Sequence, residues 1–154
     1  MCCAPLHNGP CDAATPEALM RSRFSAFALG LGEYLASTLS ETHADHAMPR
    51  VALVRELSRA RERQRFLGLR VIHAATNGDQ GEVLFFARVF ERGADRSFAE
   101  LSRFMREDQR GDEGASRPWR YSDGVLVPAA ELPANVEAMT RETFLTLAQP
   151  KAIL

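Results

Sequence analysis

Apolar positions near the start of the chain recur with helical spacing. Met20, Phe24, Phe27 and Leu31 follow at steps of four, three and four, which lays them along one face of a helix. Thr15 at the cap, Pro16 at the first helical position and Glu17 in the first turn mark its start. Gly30 and Gly32 interrupt the pattern, and Tyr34, Leu35 and Leu39 resume it in a second short helix. The polar run from Ser40 to Pro49 predicts a loop. Helical spacing returns from Arg50 to Arg65, with Val51, Val54 and Leu57 expected inward and six arginines mostly outward.

The period then changes to two. Phe66 to Ala75 reads as a strand and Asn77-Gly78-Asp79 as a turn. From Glu82 to Glu91 the alternation is largely apolar on both sides: Val83, Phe85, Ala87 and Val89 against Leu84, Phe86, Arg88 and Phe90. That is the pattern of a central strand covered on each face. Arg92 to Asp95 turns the chain, and Ser97 to Asp108 returns as the partner strand. Gln109 to Pro118 is polar and reads as a loop, after which Trp119-Arg120-Tyr121 begins a last strand. The chain is expected to leave the sheet after Gly124, through Pro128 and Pro133. Asn135 to Ala148 then reads as one amphipathic helix with Val136, Met139, Phe144 and Leu147 on its apolar face. Helices followed by a hairpin-linked sheet make an α+β layout rather than βαβ.

Composition narrows the picture little. At 154 residues, with 45% hydrophobic and 25% charged residues, the chain has the size and make-up of one folded domain. A formal net charge of -1 gives no global attraction to nucleic acid or a membrane surface. No apolar run approaches the roughly 20 residues that span a bilayer. The opening Met-Cys-Cys-Ala-Pro is no secretory signal, so the expected location is cytoplasmic.

Candidate chemistry is sparse. Three cysteines, Cys2, Cys3 and Cys11, fall in the first eleven residues, and with His7 they form the local set of donors for a structural zinc ion. The competing reading is a terminal segment with free thiols. Thr42 to His46 holds His43, Asp45 and His46, either a metal or acid–base site or a solvated polar loop. The arginines between Arg50 and Arg65 are interleaved with Glu56 and Glu62, which favours a solvated, ion-paired face over a nucleic-acid site. Trp119 and Tyr121 read as core aromatics of the last strand. No Ser-His-Asp order, phosphate-binding glycine loop or His-Glu-x-x-His helix is present.

The segment Pro16-Glu17-Ala18-Leu19-Met20-Arg21-Ser22-Arg23-Phe24-Ser25-Ala26-Phe27 resembles the signature of YchJ-type bacterial proteins. Leu67-Gly68-Leu69, Gly81-Glu82-Val83, Ser102-Arg103-Phe104 with Arg106-Glu107-Asp108, and Trp119 to Gly124 fit the same family in order and spacing, over about residues 1 to 125. The resemblance implies an NTF2-like cone, with N-terminal helices packed on a curved antiparallel sheet. It divides the chain into a SEC-C zinc-knuckle remnant (1–14), an NTF2-like domain (15–125) and a C-terminal extension with helical character (126–154). Cys2-Cys3, followed by Pro5 and Leu6, is similar to the second cysteine pair of that knuckle, and the first pair would lie upstream of Met1. No cofactor other than zinc is implied.

In such a cone, polar groups aimed into the cavity are the candidate ligand or catalytic set, and Arg23, Tyr34, Glu100 and Arg103 are the residues expected there. Two functions follow: a binding or adaptor module for a protein or small ligand, or a small enzyme with acid–base groups in the cone. A cavity plugged by Phe24, Phe27 and Phe86 would remove the second. The apolar face of Leu84, Phe86 and Phe90 needs a cover, for which a homodimer is one candidate.

Overall fold

The computed structural model describes residues 4–8, 12–107 and 117–148. They open with a single helical turn, α1 (Ala4–His7), and then α2 (Pro16–Leu29). Thr15 caps α2 as expected: its side-chain oxygen accepts from the Ala18 N–H at 3.1 Å. Gly30 ends the helix in left-handed backbone (φ 71°), which an L side chain adopts only with strain. The next helix, α3 (Gly32–Ser37), lies against α4 (Arg50–Ser58). A Cβ on Gly32 would stand 2.1 Å from Ser58 Oγ and 2.2 Å from the Val54 carbonyl oxygen, so only glycine permits this approach.

The inward face of α4 carries Val54 and Leu57 as expected, but not Val51. Leu53 is buried with Ala36 and Leu39, whereas Val51 is 72% exposed. The helix also stops early. After a further turn, α5 (Ala60–Arg63), strand β1 (Gln64–Asn77) begins before Arg65. The arginine row is a solvated face tied by local pairs, Arg50 with Glu33 at 2.9 Å and Arg63 with Glu56 at 3.1 Å.

The sheet is antiparallel in the order β1-β2-β4-β5, from β2 (Gln80–Glu91), β4 (Phe98–Arg106) and β5 (Trp119–Pro128). A two-residue β3 (Ala94–Asp95) pairs with the end of β2. Both tight turns use positive φ: Gly78 (63°) between β1 and β2, and Arg92 (50°) with Gly93 (79°) after β2. Register shifts at Phe66/Gly68, Val71/His73 and Arg103/Phe104 interrupt the ladders. Such bulges add twist and bend the sheet around the helices.

The alternation in β2 carries the layering. Val83, Phe85, Ala87 and Val89 face Leu19 and Met20 of α2. Leu84 faces the other way with Ala99, Leu101 and Val127, beneath Met139 and Phe144. Leu84 and Phe144 are fully buried there, and Phe86 packs at the edge of the same cluster, so the chain's own C-terminal segment covers this face.

Two expectations for that segment are corrected. The chain stays in the sheet past Gly124, with Val125 to Pro128 pairing against Leu101 to Phe98, and ends at Pro128, which has no N–H to donate. The single helix expected from Asn135 is broken. A 3₁₀ turn, Val136–Ala138, gives way to extended backbone at Met139 (ψ 134°), and α6 (Arg141–Ala148) starts afresh. Thr140 Oγ1 accepts from the Thr143 N–H at 3.1 Å, and that cap is what restarts the helix. Leu147, expected inward, is exposed. Arg141 fastens α6 by donating to the Glu82 carboxylate, with Nη2 at 3.1 Å from Oε2. The polar stretch 109–116 lies outside the described residues.

Candidate functional site

Strand β4 turns Phe98, Glu100, Ser102 and Phe104 toward the helices on alternate positions. Between them and α2 the cone keeps a cavity of about 400 Å³. Phe24 and Phe27 of α2 meet Phe66 of β1 at ring-centroid distances of 5.7 and 5.9 Å. They form a wall without filling the space, and Phe86 lies on the other side of the sheet. His43 and Asp45 line the opposite rim, where the half-exposed Asp45 marks the opening to solvent.

A polar cluster forms part of the lining. Arg23 is 7% exposed, and its Nη1 donates to the Leu35 carbonyl at 2.7 Å and to Thr38 Oγ1 at 2.5 Å. Its guanidinium carbon stands 4.9 Å from the centroid of the Tyr121 ring. Burial pushes the Arg23 pKa down to about 10, against the opposing pull of Tyr121, Tyr34 and Glu100. Tyr121 also places its hydroxyl 3.2 Å from Glu100 Oε2, to which it donates. Ser102 Oγ donates to the same oxygen.

Desolvation pushes the Glu100 pKa above the usual carboxylate range, and Ser102, Tyr121 and Arg23 only partly offset it. Burial, and then the nearby Glu100, pushes the Tyr121 phenol up as well. A Cβ at Gly124 would lie 2.7 Å from both the Glu100 carboxyl group and the Tyr121 hydroxyl, so β5 carries glycine where these groups converge. At the rim, burial holds the His43 pKa below its ordinary value despite Asp45. Its Nδ1 accepts from the Asp45 N–H at 3.1 Å, and its ring is 5.6 Å from that of Tyr121. His46 is spent on the Ser40 carbonyl at 2.9 Å, so the two histidines do not converge.

Residues 15–124 match the YchJ middle NTF2-like domain. The chain belongs to the YchJ family. Among its relatives, a UPF0225 protein of Polaromonas naphthalenivorans is 38% identical over 80% of this chain and 78% of its own length. One from Cupriavidus metallidurans is 40% identical over 81% of each. The solution structure of a SEC-C motif containing protein from Rhodopseudomonas palustris is similar with a TM-score of 0.63 and 34% identity, covering 80% of this chain and 87% of that one. A crystal structure of a SEC-C motif containing protein from Psychrobacter arcticus gives 0.64 and 26%, over 79% and 68%. These matches and the observed layers agree on the α+β, NTF2-like architecture.

Within this YchJ-type cone the four expected cavity residues separate. Arg23 and Glu100 line the same space. Tyr34 does not line it. Its hydroxyl is 2.5 Å from Ser22 Oγ, and its ring meets His7 edge-on at 4.9 Å. Arg103 lies on the opposite face of β4, where Nε and Nη2 each donate to Asp123 at 2.6 Å. Ser102, Tyr121 and His43 join the site instead. Tyr121 packs against two core clusters, as expected of a core aromatic, and also brings its hydroxyl to the site; Trp119 is core too, at 2% exposed.

The zinc set falls largely outside the described residues, which do not include Cys2, Cys3 or Cys11. His7 Nε2 lies 2.8 Å from the Ser22 carbonyl oxygen, anchoring the N-terminal turn on α2. Among the described residues no group of three or more His, Cys, Asp or Glu side chains could hold a metal ion. Nor is any described helix long and apolar enough to cross a membrane.

Proposed function

We propose that the cone is a small-molecule binding site, with an apolar body seated among the phenylalanines and a polar end held at Glu100, Tyr121 and Arg23. One observation carries this reading: a cavity of about 400 Å³ lined by apolar rings together with a partly buried polar cluster. That volume lies in the range of small-ligand pockets, whose usual build is apolar walls with a few convergent polar groups. A purely structural core would fill the space with side chains.

The test is a fragment screen by backbone amide NMR. Binding should shift the amides of Phe85, Glu100 and Tyr121 together and leave Phe144, on the far face, unmoved. Leu57→Trp, which fills the cavity from its helical rim, should abolish those shifts. Fragments that move only surface amides would sink the reading.

An acid–base enzyme is a second reading, favoured by Glu100, a carboxyl biased toward its protonated form beside a tyrosine hydroxyl. The two part on one result. A binding module releases its ligand unchanged, while an enzyme converts it and loses turnover in Glu100→Gln.

A further inference from the structure

The buried Arg23 and the partly buried Glu100 are met very differently in the cavity. Arg23 gives two hydrogen bonds to oxygen acceptors and lies over an aromatic face, so its charge is well placed without a carboxylate beside it. Glu100 has no such provision. Its bonds come from the neutral hydroxyls of Ser102 and Tyr121, both on Oε2, and Oε1 accepts none among the described residues. No Arg, Lys or His side chain among those residues lies within ion-pair distance of it. Arg23 favours its ionised form only through space, and a carboxylate held largely out of water without a directly bonded counter-charge is costly.

The rest of the lining points the same way. By formal charge Arg23 offsets Glu100 within the lining, and the half-exposed Asp45 adds a second carboxylate at the rim. Phe85 sits directly across from Glu100 on β2, with Phe98 packed against it at 6.2 Å. Phe104 stands 5.7 Å from Tyr121 on the other side. Aromatic rings around a carboxylate attract a cation through their faces while accepting its apolar body. Tyr121 turns its ring to Arg23 and its hydroxyl to Glu100, which puts the resident guanidinium and the open carboxyl oxygen at different ends of one side chain.

We infer that the cavity selects organic amines, with the protonated nitrogen on Glu100 Oε1 and a small aromatic or alkyl body among the phenylalanines. This rests on the small-molecule reading above and adds the charge of the ligand to it.

Three probes with one body and different heads test it: phenethylamine, phenethyl alcohol and phenylacetate, each titrated into the full chain by NMR at neutral pH. The amine should bind about tenfold more tightly than the other two, the difference that one added charge-assisted hydrogen bond makes. Glu100→Gln, checked for folding by its amide spectrum, should remove that preference, so that amine and alcohol bind the variant within about twofold of each other. Equal or tighter binding of the alcohol or of phenylacetate overturns the amine selectivity and leaves the small-molecule reading standing. The amine binding away from Phe85 and Glu100 also overturns it. Failure of the broader reading looks different: no fragment of any charge then shifts the cavity amides.

Discussion

At the scale of single residues, the site depends on a carboxyl group kept where it would rather be neutral. The folded pKa of Glu100 is raised, chiefly by desolvation, with Ser102, Tyr121 and Arg23 opposing and Asp123 reinforcing. A raised carboxylate pKa means that the folded chain holds this proton more tightly than the unfolded one. Its stabilising contribution is therefore complete below the ordinary glutamate pKa and is lost as pH rises through the folded value. Glu100→Gln stays neutral throughout, so its unfolding free energy relative to wild type should climb as the pH rises from below the ordinary glutamate pKa to neutral. Urea unfolding at both ends of that window measures this, and a flat difference would mean that Glu100 titrates normally. Tyr121→Phe takes away one of the two donors on Glu100 and should cost about 1 kcal/mol in the same assay. Part of this site was legible in the sequence and part was not. Glu100 and Arg103 are an odd number of positions apart on one strand, so period-two geometry already sends them to opposite faces. The in-phase partner, Ser102, was the better signal. Tyr121 gave none, because an aromatic at a strand position reads as core until its hydroxyl is seen to meet a carboxylate.

At the scale of elements, close contacts matter more than propensity. Gly32 lets α3 approach α4 until backbone and Ser58 fill the place of a side chain. Because the nearest obstacles include the Val54 carbonyl, which cannot swing aside, Gly32→Ala must separate the helices. The expected cost is about 1–3 kcal/mol, and a thermal melt against wild type checks it. A change below about 0.5 kcal/mol would show that the helices slide freely on each other. Strands were the easiest elements to read: both turns and the two-faced apolar run of β2 stand where the alternation puts them. Helix α4 was harder, since Val51 and Leu53 are both apolar and two positions apart. Only the location of Ala36 and Leu39 decides which one is buried. The break before α6 was invisible for a related reason. The spacing of Val136, Met139 and Phe144 suits a helix, yet Met139 and Phe144 reach the sheet from separate segments joined at the Thr140 cap.

At the scale of the whole molecule, one sheet does two jobs on its two faces. The concave face encloses the cavity with α2, and the convex face is sealed by the C-terminal segment through Met139, Phe144 and the Arg141–Glu82 pair. The seal makes an intermolecular cover for Leu84 unnecessary, since Leu84 is fully buried by its own chain. If the faces are independent, damage to one should leave the other working. Phe144→Ala removes a fully buried ring from the convex cluster and should destabilise the chain by about 3–5 kcal/mol. Ending the chain at Pro128 goes further, because it uncovers Leu84, Leu101 and Val127 together. Sedimentation velocity over a range of concentrations should then show self-association of the shortened chain through that apolar face, as large exposed patches promote. The fragment shifts at Phe85 and Glu100 should persist in Phe144→Ala wherever it remains folded, because the β strands separate the two sites. Loss of both stability and cavity binding together would mean that the faces are coupled through the sheet. The C-terminal segment would then belong to the binding unit and not only to its support.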